Sequence, residues 1–395
     1  MTSRPCWVEI STRAFADNYQ FLRTVAPPAS ELLAIVKANA YGHSLALCAP
    51  AAVRAGARWL GVTSVEEAVA ARSICPDARI VVMGGVFPGQ EAAVIKHGLT
   101  PVVWEPFQID ALAMAAREAD AAPGSIAVHL EIDSVMSRQG AALPDLASLS
   151  GRFGAGSPLR IEAVMTHLYA SDESNGLSTK SQMERLEDAL NRVAEWCTPE
   201  WLSAGASAAL LGYDARAIHA LARKSRLKLM MRPGLALYGV VPRFEPPFDS
   251  AEKPPALAAA HRHLRPVLAW KTRVVSLREV SPGTEIGYNG TFVATEPMRL
   301  ALITAGYADG LDRRLGNRFN LLVRGRRAPL VGRISMDQAV LDVTEIQGAE
   351  TGDEVVILGS QGEESITAFD HADAAGTIPW EVFTRIGERV QRIEV

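Results

Sequence analysis

Residues 31–44 read ELLAIVKANAYGHS. The apolar run 32–36 is too short for a buried helix of its own, and it stops at a charged residue, Lys37, before small residues and a glycine. That is the pattern of a buried strand ending at a rim. Working outward, the same unit recurs: short apolar runs at 59–62, 80–83, 101–103, 126–132, 161–166, 201–203 and 229–232 alternate with helix-period segments. Some helix ends are legible. Ser64 with Glu67 three residues on forms a capping-box pattern, and Gly98 follows Lys96 and His97 as a C-terminal stop. Eight strands alternating with helices predict an α/β fold of the (β/α)8, TIM-barrel type.

The pattern ends near residue 240. The stretch 242–263, PRFEPPFDSAEKPPALAAAHRH, is proline-dense and lacks periodicity, so a linker is expected over about 241–263. Beyond it lie β-rich runs at 267–280, 299–304 and 355–358, with turn pairs at Pro282, Gly283 and at Gly352, Asp353. The expected organisation is a barrel over 11–243 followed by a mainly β C-terminal domain over 244–395. The short strand 6–10 is a candidate member of the β domain.

Composition narrows the function. Forty Lys+Arg against 44 Asp+Glu give a net charge of −4 with both signs interspersed, which offers no basic face for nucleic acid. No run approaches the ~20 apolar residues that cross a bilayer, and no signal-like segment opens the chain, so a soluble, cytoplasmic protein is expected. Cys6, Cys48, Cys75 and Cys197 are far apart and lack a histidine cluster, which argues against both a metal site and a disulfide framework. Small-molecule chemistry remains.

In such barrels the site lies at the C-terminal strand ends. Lys37 ends the first run, Arg138 lies just past the fifth, His167 closes the sixth, Ser207 follows the seventh and Arg232 ends the eighth. Taken singly, a strand-end Lys or Arg usually snorkels to water and a lone His usually serves the core. Together they make a cationic mouth for an anionic ligand. A buried lysine beside other cations has its pKa lowered, which frees the amine for a Schiff base. Pyridoxal 5′-phosphate offers both aldehyde and phosphate; a class I aldolase also places such a lysine in a barrel. The residues alone leave these two level.

Several segments carry a resemblance: AIVKANAYGHS (34–44), THLYASDE (166–173), ASAAL (206–210), MRPGLALYG (231–239), GTEIGYNGTF (283–292), GYADG (306–310) and GRISMDQ (332–338). The chain resembles the alanine racemases along essentially its whole length. The resemblance implies pyridoxal 5′-phosphate on Lys37, with Tyr41, Ser207 and the Gly234 and Leu235 backbone at the phosphate, and Arg232 at the pyridine nitrogen. It implies two bases on opposite faces of a small amino-acid substrate, Lys37 and Tyr288. Tyr288 would enter the partner's site in a head-to-tail homodimer. His167 would support that tyrosine, Arg138 would bind the substrate carboxylate or the cofactor's phenolic oxygen, and Tyr307, Met336 and Asp337 would shape the substrate pocket and its entrance. The implied product is D-alanine for peptidoglycan. Alternatives are a serine or broad-spectrum racemase and, less close, a basic amino-acid decarboxylase, which needs a C-terminal-domain cysteine that this chain lacks.

The chain also departs from the family pattern. Glu131 stands where many relatives have a carbamylated lysine seven residues before the arginine, so it is expected to orient Arg138 in that group's stead. Val135 and Ser137 replace two usual glycines, Ala206 a frequent Asn, and Glu388 a phosphate-reaching Tyr.

Overall fold

Parallel strands covered on both faces need near-continuous apolar sequence, and the runs above supply it. In the computed structural model, which describes residues 4–249 and 252–395, eight strands close into a parallel barrel: Glu31–Ile35, Trp59–Val62, Arg79–Val82, Thr100–Val103, Ile126–Glu131, Leu159–Met165, Trp201–Ser203 and Lys228–Met231. Closure pairs Glu31 with Met230 and Leu32 with Met231. The helices bury one stripe each; along Pro106–Glu118 this is Ile109, Leu112, Ala113 and Ala116, the i, i+3, i+4, i+7 spacing of an amphipathic face. Gly61 is small by necessity, since a Cβ there would lie 2.6 Å from Ile35 Cδ1. The fold class read from sequence is thus the one observed, with strand ends displaced by no more than two residues.

Two details differ. Ser64 Oγ accepts the Glu67 N–H at 3.3 Å, but the Glu67 carboxylate does not return to Ser64; it accepts from the N–H groups of Thr63 (2.8 Å) and Ala38 (2.6 Å). The stretch read as linker contains a helix, Pro255–His263. Proline at its first turn and the alanines that follow favour helix, and burial of Leu257 and Ala260 anchors it; the neighbouring prolines masked this in the sequence.

The chain forms two units, Arg13–Ala40 with Cys48–Arg265, and Met1–Thr12 with Tyr41–Leu47 and Pro266–Val395. The second is built on a nine-stranded sheet. Cys6–Ile10 pairs antiparallel with Leu268–Val280 and parallel with Gln391–Glu394. The 13-residue strand Leu268–Val280 shifts register between Val274 and Ser276, and so pairs with Glu354–Gln361 along one part and Met298–Ile303 along the other. Among the described residues no helix is long and apolar enough to cross a membrane, and no His/Cys/Asp/Glu group is arranged to hold a metal.

Candidate active site

Lys37 stands at the exit of the first barrel strand, and the backbone beyond it is unusual. Ala38, Asn39, Ala40 and Tyr41 all have φ between 51° and 55°, a run of left-handed residues that costs roughly 1–2 kcal/mol per L-residue. The turn is held by the Glu67 carboxylate on the Ala38 N–H and by the Ala40 N–H on Val36 O at 2.9 Å. Sequence reading assigned Glu67 to helix capping alone; its i+3 spacing from Ser64 hid a second, tertiary partner, the backbone beside Lys37. Tyr41 ends the run buried, with its phenol pushed up by burial.

The other barrel residues converge on Lys37. Burial first, then the charges of Arg138 and Arg232, pull its pKa down, while Glu67 opposes them. Arg232 is buried and donates to Ser203 Oγ (3.0 Å) and Thr166 O (2.6 Å), with His167 Nδ1 3.4 Å from the same Nη2. Burial lowers Arg232 to about 10, so it stays protonated at neutral pH. Burial and the neighbouring Arg232, Arg138 and Lys37 push His167 down to about 3, so it is neutral. Ser207 Oγ accepts the N–H groups of Gly234 (3.0 Å) and Ala236 (3.1 Å). The serine thus retains its own hydrogen to donate, and Leu235 lies buried between those two amides.

Glu131 is 2% exposed, with its pKa raised by burial. Its hydrogen-bond partner is Gln139 Nε2 at 2.5 Å, which also donates to Met83 O at 3.0 Å. In place of the expected direct contact with Arg138, which is exposed, Glu131 takes the half-buried Gln139, the next residue along. Arg232 and then Arg138 are the cations that favour the charged form of Glu131, against burial. The loop between them keeps the shape of its lost glycines: Val135 has φ 145° and Ser137 φ 55°. The Asp133 carboxylate holds both, accepting the Val135 N–H at 3.0 Å and the Ser137 N–H at 3.1 Å.

The remaining residues belong to the β-rich unit. Tyr307 and Met336 lie on adjoining loops, with the Tyr307 N–H on Ser335 O and the Ala308 N–H on Met336 O, both at 3.0 Å. Beneath them the fully buried Asp309 is gripped by Arg4 (2.5 and 2.6 Å) and Arg389 (2.7 Å). Asp337 pairs with Arg389 at 2.7 Å, so its carboxylate is engaged within the unit. Tyr288 opens a short turn and is 66% exposed. Glu388 is exposed.

This donor set fits pyridoxal phosphate: a desolvated amine for the aldehyde, a fixed guanidinium, and a serine hydroxyl oriented by two backbone amides so that its own hydrogen is left to donate to the phosphate. Comparison with known proteins agrees. Residues 10–242 match the family model for the alanine racemase N-terminal domain and residues 267–394 that for its C-terminal domain. An alanine racemase of Symbiobacterium thermophilum is 37% identical over 390 residues, covering 98% of this chain and 97% of that protein. The crystal structure of alanine racemase from Streptomyces lavendulae superposes with a TM-score of 0.87 at 33% identity, covering 100% and 98% of the two chains. That from Bartonella henselae, with covalently bound pyridoxal phosphate, gives 0.82 at 27%, covering 99% of each.

Proposed function

The chain belongs to the alanine racemase family, pyridoxal-phosphate enzymes that interconvert L- and D-alanine, and on that premise we propose how its residues divide the work. Lys37 would hold the cofactor, Ser207, Tyr41 and the Gly234 and Leu235 backbone its phosphate, and Arg232 its ring nitrogen. When bound, the cofactor supplies an aldehyde for amines and an electron sink that acidifies the substrate Cα–H.

Racemisation needs a proton removed on one face and delivered on the other. Lys37 serves one face: its depressed pKa keeps a larger share of neutral amine than a solvated lysine would have. Tyr288 of a second copy serves the other. The observation that carries this reading is the geometry in which buried Arg232 meets His167 Nδ1 at 3.4 Å, beside a Lys37 amine whose pKa is lowered by burial and by the charges of Arg138 and Arg232. Arg232 can only donate, so His167 Nδ1 must accept and the proton of the neutral ring sits on Nε2. That N–H can donate to a phenolate oxygen, lowering the proton affinity of the incoming tyrosine. Arg232 keeps its own proton at neutral pH, so it would hold the ring nitrogen as a hydrogen-bond donor without giving up that proton. Arg138 offers a cation to the substrate carboxylate, and Tyr307, Met336 and the backbone at Asp337 limit substrate size.

Exposure of Tyr288, Tyr307 and Met336 (66, 43 and 53%) supports a head-to-tail homodimer in which a partner covers them. The test is complementation. Lys37→Ala and Tyr288→Phe proteins, each severely impaired alone, are unfolded together, refolded and assayed. If Tyr288 acts across subunits, about a quarter of sites regain both bases, by random pairing of two-fold dimers; no recovery would sink the trans arrangement. Racemisation of L-Ala, L-Ser, L-Lys and L-Arg decides breadth, with L-Ala expected to be best. We further infer a cytoplasmic role supplying D-alanine for peptidoglycan; the four free cysteines agree with a reducing compartment.

A further inference from the structure

We propose that Gln182 is a positioning residue for proton transfer, acting from outside the barrel mouth on His167 and Arg232; this rests on the reading of those two residues given above. Gln182 lies on the helix Leu177–Ala194 and is 1% exposed. Its amide makes three hydrogen bonds. Nε2 donates to Ser134 Oγ (2.9 Å) and to His167 O (2.7 Å), and Oε1 accepts the Tyr169 N–H (3.2 Å).

The proton order along this chain follows from hydrogen counting. Thr166 Oγ1 donates to Ile132 O at 2.9 Å, which spends its one hydrogen. In the 2.6 Å contact between Ser134 and Thr166, Ser134 must therefore donate. Its oxygen is then left to accept from Gln182. The order runs one way, from Gln182 to Ser134 to Thr166 to Ile132, and it fixes the orientation of the amide. Ser134 and Thr166 are 1% and 0% exposed, so water offers no ready substitute partner.

The network ends on the site. The carbonyl of Thr166 is the acceptor that holds Arg232 Nη2 at 2.6 Å, and that nitrogen meets His167 Nδ1. One glutamine thus ties the ends of the fifth and sixth barrel strands to the backbone on both sides of the His167 ring. Its loss leaves the ring and the guanidinium free to drift apart while each stays present. The face served by Tyr288 should suffer, and the face served by Lys37 should not.

The test uses the holoenzyme with Gln182→Met, which conserves volume, and Gln182→Glu, which keeps an acceptor for Tyr169 but loses both donors. L- and D-alanine are equal in energy, so kcat/KM must fall by the same factor in both directions, about tenfold for buried hydrogen bonds of this kind. The Cα-deuterium isotope effect separates the faces. It should rise with L-alanine, whose proton leaves to Tyr288, and fall toward unity with D-alanine, whose proton leaves to Lys37. Amide hydrogen exchange at Tyr169 of the cofactor-free protein should also quicken in Gln182→Met, which removes the acceptor of that N–H. Lower activity with both isotope effects unchanged, or unchanged exchange, would overturn the proposal. Tyr288→Phe is run alongside. If it splits the isotope effects and the Gln182 variants do not, this inference alone falls; if it produces no split, the two-base reading falls and takes the inference with it.

Discussion

The barrel and the β-rich unit hold their share of the site in opposite ways. In the barrel, Glu131, Ser207 and Arg232 are 2, 4 and 4% exposed, and Lys37 and His167 have their proton affinities lowered by burial and by the charges of Arg138 and Arg232. In the β-rich unit the side chains predicted to meet substrate face outward, while the polar groups that hold them are buried: Asp309 is fully buried beneath the half-exposed Tyr307 and Met336. Chemistry that depends on shifted pKa values needs a low-dielectric wall, which one chain can supply within its own barrel. Residues that only reach, block or accept a proton can wait on the surface, provided that their backbone is rigid.

The comparison predicts the most severe loss in the barrel. Lys37→Ala should lower racemisation by about 10⁴-fold or more in both directions, and borohydride should no longer couple cofactor to protein. Tyr288→Phe should cost about 10²–10³-fold while cofactor absorbance is retained; equal losses of cofactor in both variants would erase the distinction between the two regions.

Acid stability sharpens it. Glu162 on the barrel floor is held down to about 2, against its own burial, by His129 and by Arg79, whose guanidinium donates to it at 2.7 and 3.0 Å; Asp309 is also depressed, by Arg4 and Arg389. A carboxylate depressed in the folded state contributes stability that is present above the ordinary carboxylate range and lost as pH falls through its folded value. Glu162→Gln should cost about 2 kcal/mol at neutral pH, discounted for the solvent reach of the arginines. The gap in melting temperature from the parent protein should close as pH falls toward 2. A gap independent of pH would mean packing rather than charge.

Two smaller effects probe the loop beside Arg138. Glu131→Ala removes the acceptor of the half-buried Gln139 amide and should raise KM or the need for added cofactor by about tenfold; unchanged values would show that Glu131 does not support the site. Val135→Gly should stabilise by about 1 kcal/mol, because a β-branched residue at φ 145° is strained and glycine is not. Thermal melting would show it, and destabilisation would mean that the valine side chain has packing worth more than the strain.

Most of this architecture was legible in one dimension because it rests on local rules. Apolar runs of strand length ending in Lys37, His167 and Arg232 marked both the barrel and its active rim, and glycine and proline pairs marked turns of the β-rich unit. Family motifs added Tyr288, Tyr307 and Met336, for which local pattern offers no chemistry. The helix Pro255–His263 was missed because flanking prolines conceal a short alanine-rich segment.

By itself, then, the sequence determined the fold class, the rim and the chemical types that meet there, since hydrophobic period and strand ends depend only on neighbours along the chain. Tertiary structure alone decided which partner each polar group takes. Glu67 caps one helix and also braces the turn after Lys37; Glu131 reaches Gln139 rather than Arg138; Gln182, an unremarked helical residue, holds the backbone around His167. Hydrogen bonds join groups that are close in space whatever their separation in sequence, and burial and charged neighbours, which together set the direction of the pKa shifts, exist only once the chain has folded.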